Sequence, residues 1–416
     1  MSSALDFRST VAFFRQEWRF LLFGALVAFW SSPGQTFVIA LFGGQLRAEF
    51  GLSHGAFGGI YTLATLTSAA LLLPTGRLID RLPLARFTRW VVLGMAGATA
   101  AFSLVAGSVS LFFGFLGLRF AGQGLMTHIA FTAMARRYRR ERGRALAVAG
   151  IGFAIGEASL PPLVVWALAV FEWRLIWLVF AAAVAFTLLP LLPALLRRTE
   201  AQDGAGAAAL AERDADVRHW TRGEMLRDPR FHLLTPLVMA QSAIVTGLFF
   251  HQVHLVALKG WSLAWWSLCF FFFALASVAA NVGGGLLIDR FSGRALAPLV
   301  LLPLALALLL FGVAAAPLTA AAVLILIGLS AGASSGVLSA LWAELYGTDH
   351  LGAIRAVAAV LMVFASALGP VAMGLALDRD ASVAAISYAS LAIVLFAALA
   401  ATYALHGRLP AADPGV

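Results

Sequence analysis

Gly76-Arg77-Leu78-Ile79-Asp80-Arg81 and Gly285-Leu286-Leu287-Ile288-Asp289-Arg290 differ at one position, and their aspartates stand 209 residues apart. Each hexapeptide follows a long apolar run. Tyr138 and Tyr346 are 208 residues apart, and the Arg-Ala pairs beginning at Arg144 and Arg355 are 211 apart. Three correspondences at nearly one offset make the 416-residue chain two related halves. A third copy of the pattern, Gly374 to Arg379, falls at the opposite end of its apolar run. That placement is what an inverted three-helix repeat nested in each half would give.

Outward from these loops, the chain is 61% hydrophobic and 12% charged, outside the range of soluble domains. Twelve apolar stretches cover about 19–42, 55–75, 89–107, 110–133, 145–168, 175–196, 232–256, 263–288, 295–315, 318–342, 354–377 and 384–405. Each is long enough to cross a hydrocarbon core of about 30 Å. With alternating directions assigned, 24 of the 29 basic residues collect on one side. Arg47, Arg174, Lys259 and Arg379 lie on the other side, and Arg119 lies within a span. Positive charge stays inside during insertion, so both termini and the central loop are expected in the cytoplasm, with the chain in the plasma membrane. The net charge of +9 then records topology and calls for no nucleic-acid partner. The run from Arg19 to Leu41 is too long for a cleavable signal and reads as the first spanning helix. The one cysteine, Cys269, falls inside a span, so no intramolecular disulfide can form.

The expected fold is an all-α membrane protein of twelve transmembrane helices in two pseudo-symmetric six-helix bundles, residues 1–196 and 232–416. Residues 197–231 form the cytoplasmic linker. Its first part, small and charged, reads as a flexible tether. Its second part has Thr221 and Glu224 at capping-box spacing, which predicts a short helix there, lying on the inner leaflet or simply solvated.

The repeated Gly-x-x-x-Asp-Arg loop resembles the signature of the major facilitator superfamily, and the likeness covers nearly the whole chain. Within that superfamily, LFGGQLRAEFGLSHGAFGGIYTLATL (41–66) and YRRERGRALAVAG (138–150) are similar to the monocarboxylate and oxalate–formate carriers. The chain departs from the pattern twice. Leu82-Pro83 stands where the loop usually has glycine, and the eighth span lacks the Asp and Arg of monocarboxylate carriers, offering Ser262, Ser267, Ser277 and Asn281. The resemblance implies alternating access around a midplane site, with an arginine in the fourth span.

Charges at the bilayer centre cost roughly 2.5–3.5 kcal/mol each on insertion scales, so they persist with a partner or a task. Arg119 in the fourth span and Glu157 in the fifth are the two clear cases. Each is about 12 residues from the loop that joins their helices, or about 18–20 Å from the cytoplasmic face at 1.5 Å per residue. Two readings stay open. Arg119 binds an anionic group while Glu157 exchanges a proton, or the two form a fixed bridge that offsets burial. Gln123, at i+4, shares the helical face of Arg119. His128, nine residues on, falls on the opposite face and reads as an interhelical hydrogen-bonding residue.

Ser31-Ser32-Pro33-Gly34-Gln35-Thr36 predicts a break in the first span, where Gln35 and Thr36 either touch substrate or flank a gating kink. The second half offers the uncharged Gln241, Asn281, Ser330, Ser334 and Ser335. His251 and His254 have metal-ligand spacing on one helix face, but the spans show no third ligand, so an outer-gate or proton-coupling role is expected for His251. Gly152 and Gly156 predict close helix packing rather than a dinucleotide loop. Asp80 and Arg81, with Arg142 or Arg144, and Asp289 and Arg290, with Arg355, are expected to gate the inner side. No nucleophile–base pair, metal cluster or nucleotide loop is visible, so neither an enzyme nor a cofactor is expected. The reading that results is a monomeric, proton-coupled carrier of a small organic anion such as a monocarboxylate. The alternative is proton-driven efflux of amphipathic compounds.

Overall fold

Pro33 and Gly34 do interrupt the first apolar run. In the computed structural model, which describes residues 7–138, 141–196 and 220–406, helix α1 (Phe7–Trp30) gives way to a tight turn at Ser32–Gly34. The chain resumes as α2 (Thr36–Ile39), a second tight turn at Ala40–Phe42, and α3 (Gly43–Phe50), bent by 43° from the first part. The second span is α4 (His54–Thr75) with α5 (Leu78–Arg81), and the third is α6 (Leu84–Phe102). The fourth runs through α7 (Ser108–Leu118), a π-helical stretch at Arg119–Met126, and α8 (Thr127–Arg137). The fifth and sixth are α9 (Arg142–Leu168) and α10 (Trp173–Leu196).

After the short α11 (Arg222–Arg227), the seventh span is α12 (Pro229–Phe250), continued by α13 (Gln252–Leu258). The eighth is α14 (Leu263–Leu268) with α15 (Phe270–Phe291), and the ninth α16 (Gly293–Leu296) with α17 (Leu302–Val313). The last three are α18 (Thr319–Tyr346), α19 (Leu351–Leu377) and α20 (Val383–His406). The chain is thus an all-α, multi-pass membrane protein with twelve transmembrane helices in two pseudo-symmetric sets of six. The third span begins several residues earlier than the hydropathy pattern predicts, because Arg86 and Arg89 lie within the first turns of α6. Large apolar side chains such as Trp90, Phe113, Phe186, Leu286 and Leu318 are exposed on the helices, as a hydrocarbon solvent requires.

Residues 197–219 of the expected linker lie outside the described residues. Beyond them Thr221 and Glu224 form the capping box: the Glu224 amide donates to the Thr221 hydroxyl and the Thr221 amide to the Glu224 carboxylate. Met225 is fully buried and the Trp220 amide donates to the Tyr346 carbonyl, so this segment is docked on protein.

Contacts divide the chain into two units. One gathers the described residues of Met1–Ile39, Thr67–Leu160 and Ala167–Ala211, the other those of Ala40–Leu66, Pro161–Trp166 and Glu212–Val416. Ala40–Leu66, the end of the first span and the start of the second, therefore cluster with the second half of the sequence. In the first unit, α1 lies against α9 through Gly152 and Gly156: a Cβ at either would collide with the Ala25 backbone or the Ser32 side chain. In the second, α12 lies against α19 in the same way, with Gly369 on the Ala243 backbone. Small residues let backbones approach where lipid gives helices no hydrophobic drive to associate.

The repeat also appears in hydrogen bonds. In the first unit the Tyr138 hydroxyl donates to Glu17 at 2.7 Å, and Arg137 pairs with the same carboxylate at 3.0 Å. In the second, the Tyr346 hydroxyl donates to Asp228 at 3.2 Å. Desolvation and the bond to Glu17 push the Tyr138 phenol well above its ordinary value. A hydrogen bond to a charged group contributes roughly 1.5 kcal/mol or more, so Tyr138→Phe should lower stability by about that much in detergent unfolding. An unchanged midpoint would show that the bond has no net value.

Candidate functional site

The break in the first span and the π-helical stretch of the fourth face each other within the first unit. Gly34 makes this possible: a Cβ there would stand 2.7 Å from the Gly122 Cα, and one at Gly122 the same distance from the Gly34 Cα. Arg119, 1% exposed, reaches across and donates from Nη1 to the Gly34 carbonyl at 3.2 Å and to the Thr36 hydroxyl at 3.5 Å. Gln35 is buried and donates from Nε2 to the Thr127 hydroxyl at 3.4 Å. The guanidinium thus meets a carbonyl freed by the broken helix, the kind of backbone group that must find a protein partner at membrane depth.

Glu157 lies on α9 directly after Gly156, whose Cβ position is filled by Ser32. One turn earlier, Phe153 packs edge-on against Phe37 at 6.2 Å between ring centroids. Glu157 therefore flanks the same break, yet it makes no ion pair with Arg119 or with any other described residue. The bridge considered from the sequence is not formed.

The π-helical stretch also alters the face relations drawn from an ordinary helical period. Its i→i+5 bonds make a wider turn, so residues after Arg119 advance by less than 100° each. Gln123 is half-buried within this stretch. The ring of His128 meets the Gly76 carbonyl at 3.1 Å, between the fourth and second spans. The interhelical role expected of His128 is thus what the geometry gives.

In the second unit Ser334 donates to the Gln241 side-chain oxygen, which joins α18 to α12, and Ser330 donates to the Val300 carbonyl at 3.0 Å. Asn281 and Ser335 are exposed. His251 is buried in the junction of α12 and α13, with Nε2 2.8 Å from the Pro370 carbonyl.

The inner-side partners differ from those expected. Asp80 pairs with Arg136 at 3.0 Å rather than with Arg142 or Arg144, because the end of α8 lies beside α5 and Arg136 also reaches the Ile79 carbonyl. Asp289 and Arg355 are both exposed and form no pair, and Arg290 lies over the ring of Phe291 instead. Arg81 is exposed and Arg144 half-buried, neither in an ion pair. The third copy of the motif, Gly374 to Arg379, is engaged as well. Asp378 accepts from the Ser53 hydroxyl at 2.7 Å and from the amides of His54 and Gly55 at 2.8 Å each, which caps α4. Sequence reasoning placed this motif but missed the partner. Ser53 preceding α4 was the available signal.

The Asp80–Arg136 pair is largely exposed, 66% and 53% of the side chains, so it contributes at most about 1 kcal/mol. Asp80→Asn should accordingly change transport rate no more than severalfold and leave substrate affinity unchanged. A shift in affinity would assign Asp80 to the binding site.

A family model described as Major Facilitator Superfamily matches residues 21–370. No curated protein matches the chain. Two solved structures of a bacterial homologue of the human lysosomal transporter Spinster are similar. The inward-facing, unoccupied form gives a TM-score of 0.68 at 15% identity, covering 97% of this chain and 98% of that one. The inward-facing, occupied form gives 0.65 at 16%, covering 97% of each. At such identity the likeness is one of fold.

Proposed function

The chain belongs to the Major Facilitator Superfamily, and from that membership we propose that it is a proton-coupled carrier of a small organic anion such as a monocarboxylate. Its fold is that of secondary transporters and not of an enzyme. The proposal keeps both termini in the cytoplasm and the chain in the plasma membrane. It moves substrate by rocking the bundle 1–196 against the bundle 232–416 around a midplane site.

One observation carries the coupling: Glu157 is a spanning-helix carboxyl with no ion pair, placed beside the break in the first span. Such a group can exchange a proton each time an aqueous cavity reaches it, which a fixed ion bridge cannot do. Support for an anionic substrate comes from Arg119, the one buried cation among the described residues, with Gln35 and Thr36 at the break and Gln123 four residues on in the same stretch. Gln241 would contact substrate from the opposite half.

Thermal stabilisation of the purified protein by small carboxylates, neutral solutes and lipophilic cations tests the substrate class. A true ligand at 100 times its dissociation constant adds about 2.7 kcal/mol to a two-state fold. Stabilisation by carboxylates that falls in Arg119→Lys supports the anion site. Stabilisation by lipophilic cations in both proteins would replace it with efflux of amphipathic compounds.

A further inference from the structure

The second unit contains a cavity that the transport reading does not use. It has a volume of about 150 Å³ and is lined by Arg47, His54, His251 and His254 among apolar residues. For comparison, a water molecule occupies about 30 Å³ of liquid, so the cavity has room for an anion of a few heavy atoms with some of its hydration. Arg47 comes from α3, His54 from the first position of α4, His251 from the α12–α13 junction and His254 from α13.

Three features mark it as a site and not a packing defect. The imidazoles converge: the His54 ring centroid is 4.1 Å from that of His254 and 5.5 Å from that of His251. His54 is 7% exposed and its Nδ1 is buried with no hydrogen-bond partner. An orphaned buried ring nitrogen carries an uncompensated desolvation cost, which a ligand bonded to it would recover. The Arg47 guanidinium forms no ion pair with any described residue; its Nε donates to the Leu52 carbonyl at 3.2 Å. No carboxylate lines the cavity. The nearby Asp378 is already engaged by Ser53 and two amides.

We propose that this outer cavity binds a small planar carboxylate, with Arg47 as its ion partner and His54 Nδ1 as a hydrogen-bonding group. A guanidinium fork matches a carboxylate better than it does a spherical anion. No set of three or more His, Cys, Asp or Glu among the described residues has the arrangement of a metal site, and the arginine disfavours a cation. A bound anion would join α3 and α4 to α12 and α13, and so favour the arrangement in which these outer ends are packed together. The site is separate from the one at Arg119 and Glu157 and does not depend on it.

The test uses the full chain in detergent with its histidines isotopically labelled, and acetate and chloride as probes. Acetate should shift the His54 and His254 resonances saturably, with affinity at least tenfold weaker in Arg47→Gln and unchanged in Glu157→Gln. Chloride should bind at least tenfold more weakly than acetate. The proposal is overturned if acetate leaves both resonances in place in the parent, if chloride matches acetate, or if Arg47→Gln binds as the parent does. Should Arg47→Gln fail to fold, His54→Phe, which keeps the ring bulk and removes Nδ1, must weaken the His254 shift as much. Equal affinity in that variant would overturn the proposal. Because the two sites are separate, the acetate shifts should persist in Arg119→Lys, and their loss there would overturn the proposal.

Discussion

Glu157→Gln is expected to abolish proton-driven accumulation while leaving exchange of substrate across the membrane intact. Glutamine keeps the size and hydrogen-bonding reach of a protonated carboxyl but cannot release a proton. The variant should therefore load and unload substrate with one protonation state frozen in. Accumulation against a gradient should fall at least a hundredfold, about 2.7 kcal/mol of driving free energy if read as a ratio of equilibrium constants. Counterflow, in which labelled substrate outside replaces unlabelled substrate inside, should remain within severalfold of the parent. The two assays in reconstituted vesicles separate the roles. Loss of both would make Glu157 a packing or substrate contact at the Gly156–Ser32 crossing. Retention of proton-driven accumulation would place the coupling carboxyl elsewhere. Because Glu157 makes no ion pair, the substitution strands no buried arginine, so a stability loss does not confound the result.

What was legible in the sequence follows from which physical signals are local. The twelve spans and the two halves could be read because apolar length and arginine placement are properties of single segments. Pro33 and Gly34 announced the break for the same reason: they act on their own backbone. Tyr138 and Tyr346 stood out as repeats, but their acceptors Glu17 and Asp228 did not, since each lies more than a hundred residues away on another helix. The π-helical stretch at Arg119–Met126 carries no periodic signature over eight residues, so face arguments built on an ordinary helix could not foresee it. Arg119 was identified by its cost in the membrane. That it holds the Gly34 carbonyl depends on the break and the wide turn meeting, a tertiary fact. Asp80 shows the same limit: the neighbourhood was rich in arginines, and only the placement of α8 selects Arg136.

Asp378→Ala should release the outer end of the second span. In the native protein its carboxylate collects the Ser53 hydroxyl and two amides at the first turn of α4, where a helix carries positive partial charge. The cap and the dipole together contribute about 2 kcal/mol, so its loss should speed hydrogen exchange at the His54 and Gly55 amides about thirtyfold. The acid limb checks the same contact. Partial burial would raise the Asp378 carboxyl, but the bonds from Ser53, Gly55 and His54 outweigh it and hold the group below its ordinary value. A depressed folded value means the cap is fully in place above the ordinary carboxylate range, about pH 4, and is lost only as pH falls below it. Protection of these amides should therefore stay level, after correction for intrinsic exchange, from about pH 8 to pH 5 in the parent. A thirtyfold loss in Asp378→Ala, with Asp80→Asn unaffected at the same amides, would make the outer motif the latch and the inner one a minor contact. Equal protection in Asp378→Ala and the parent would mean that Gly58 against Pro370 and Gly374 against His54 hold the two helices without it.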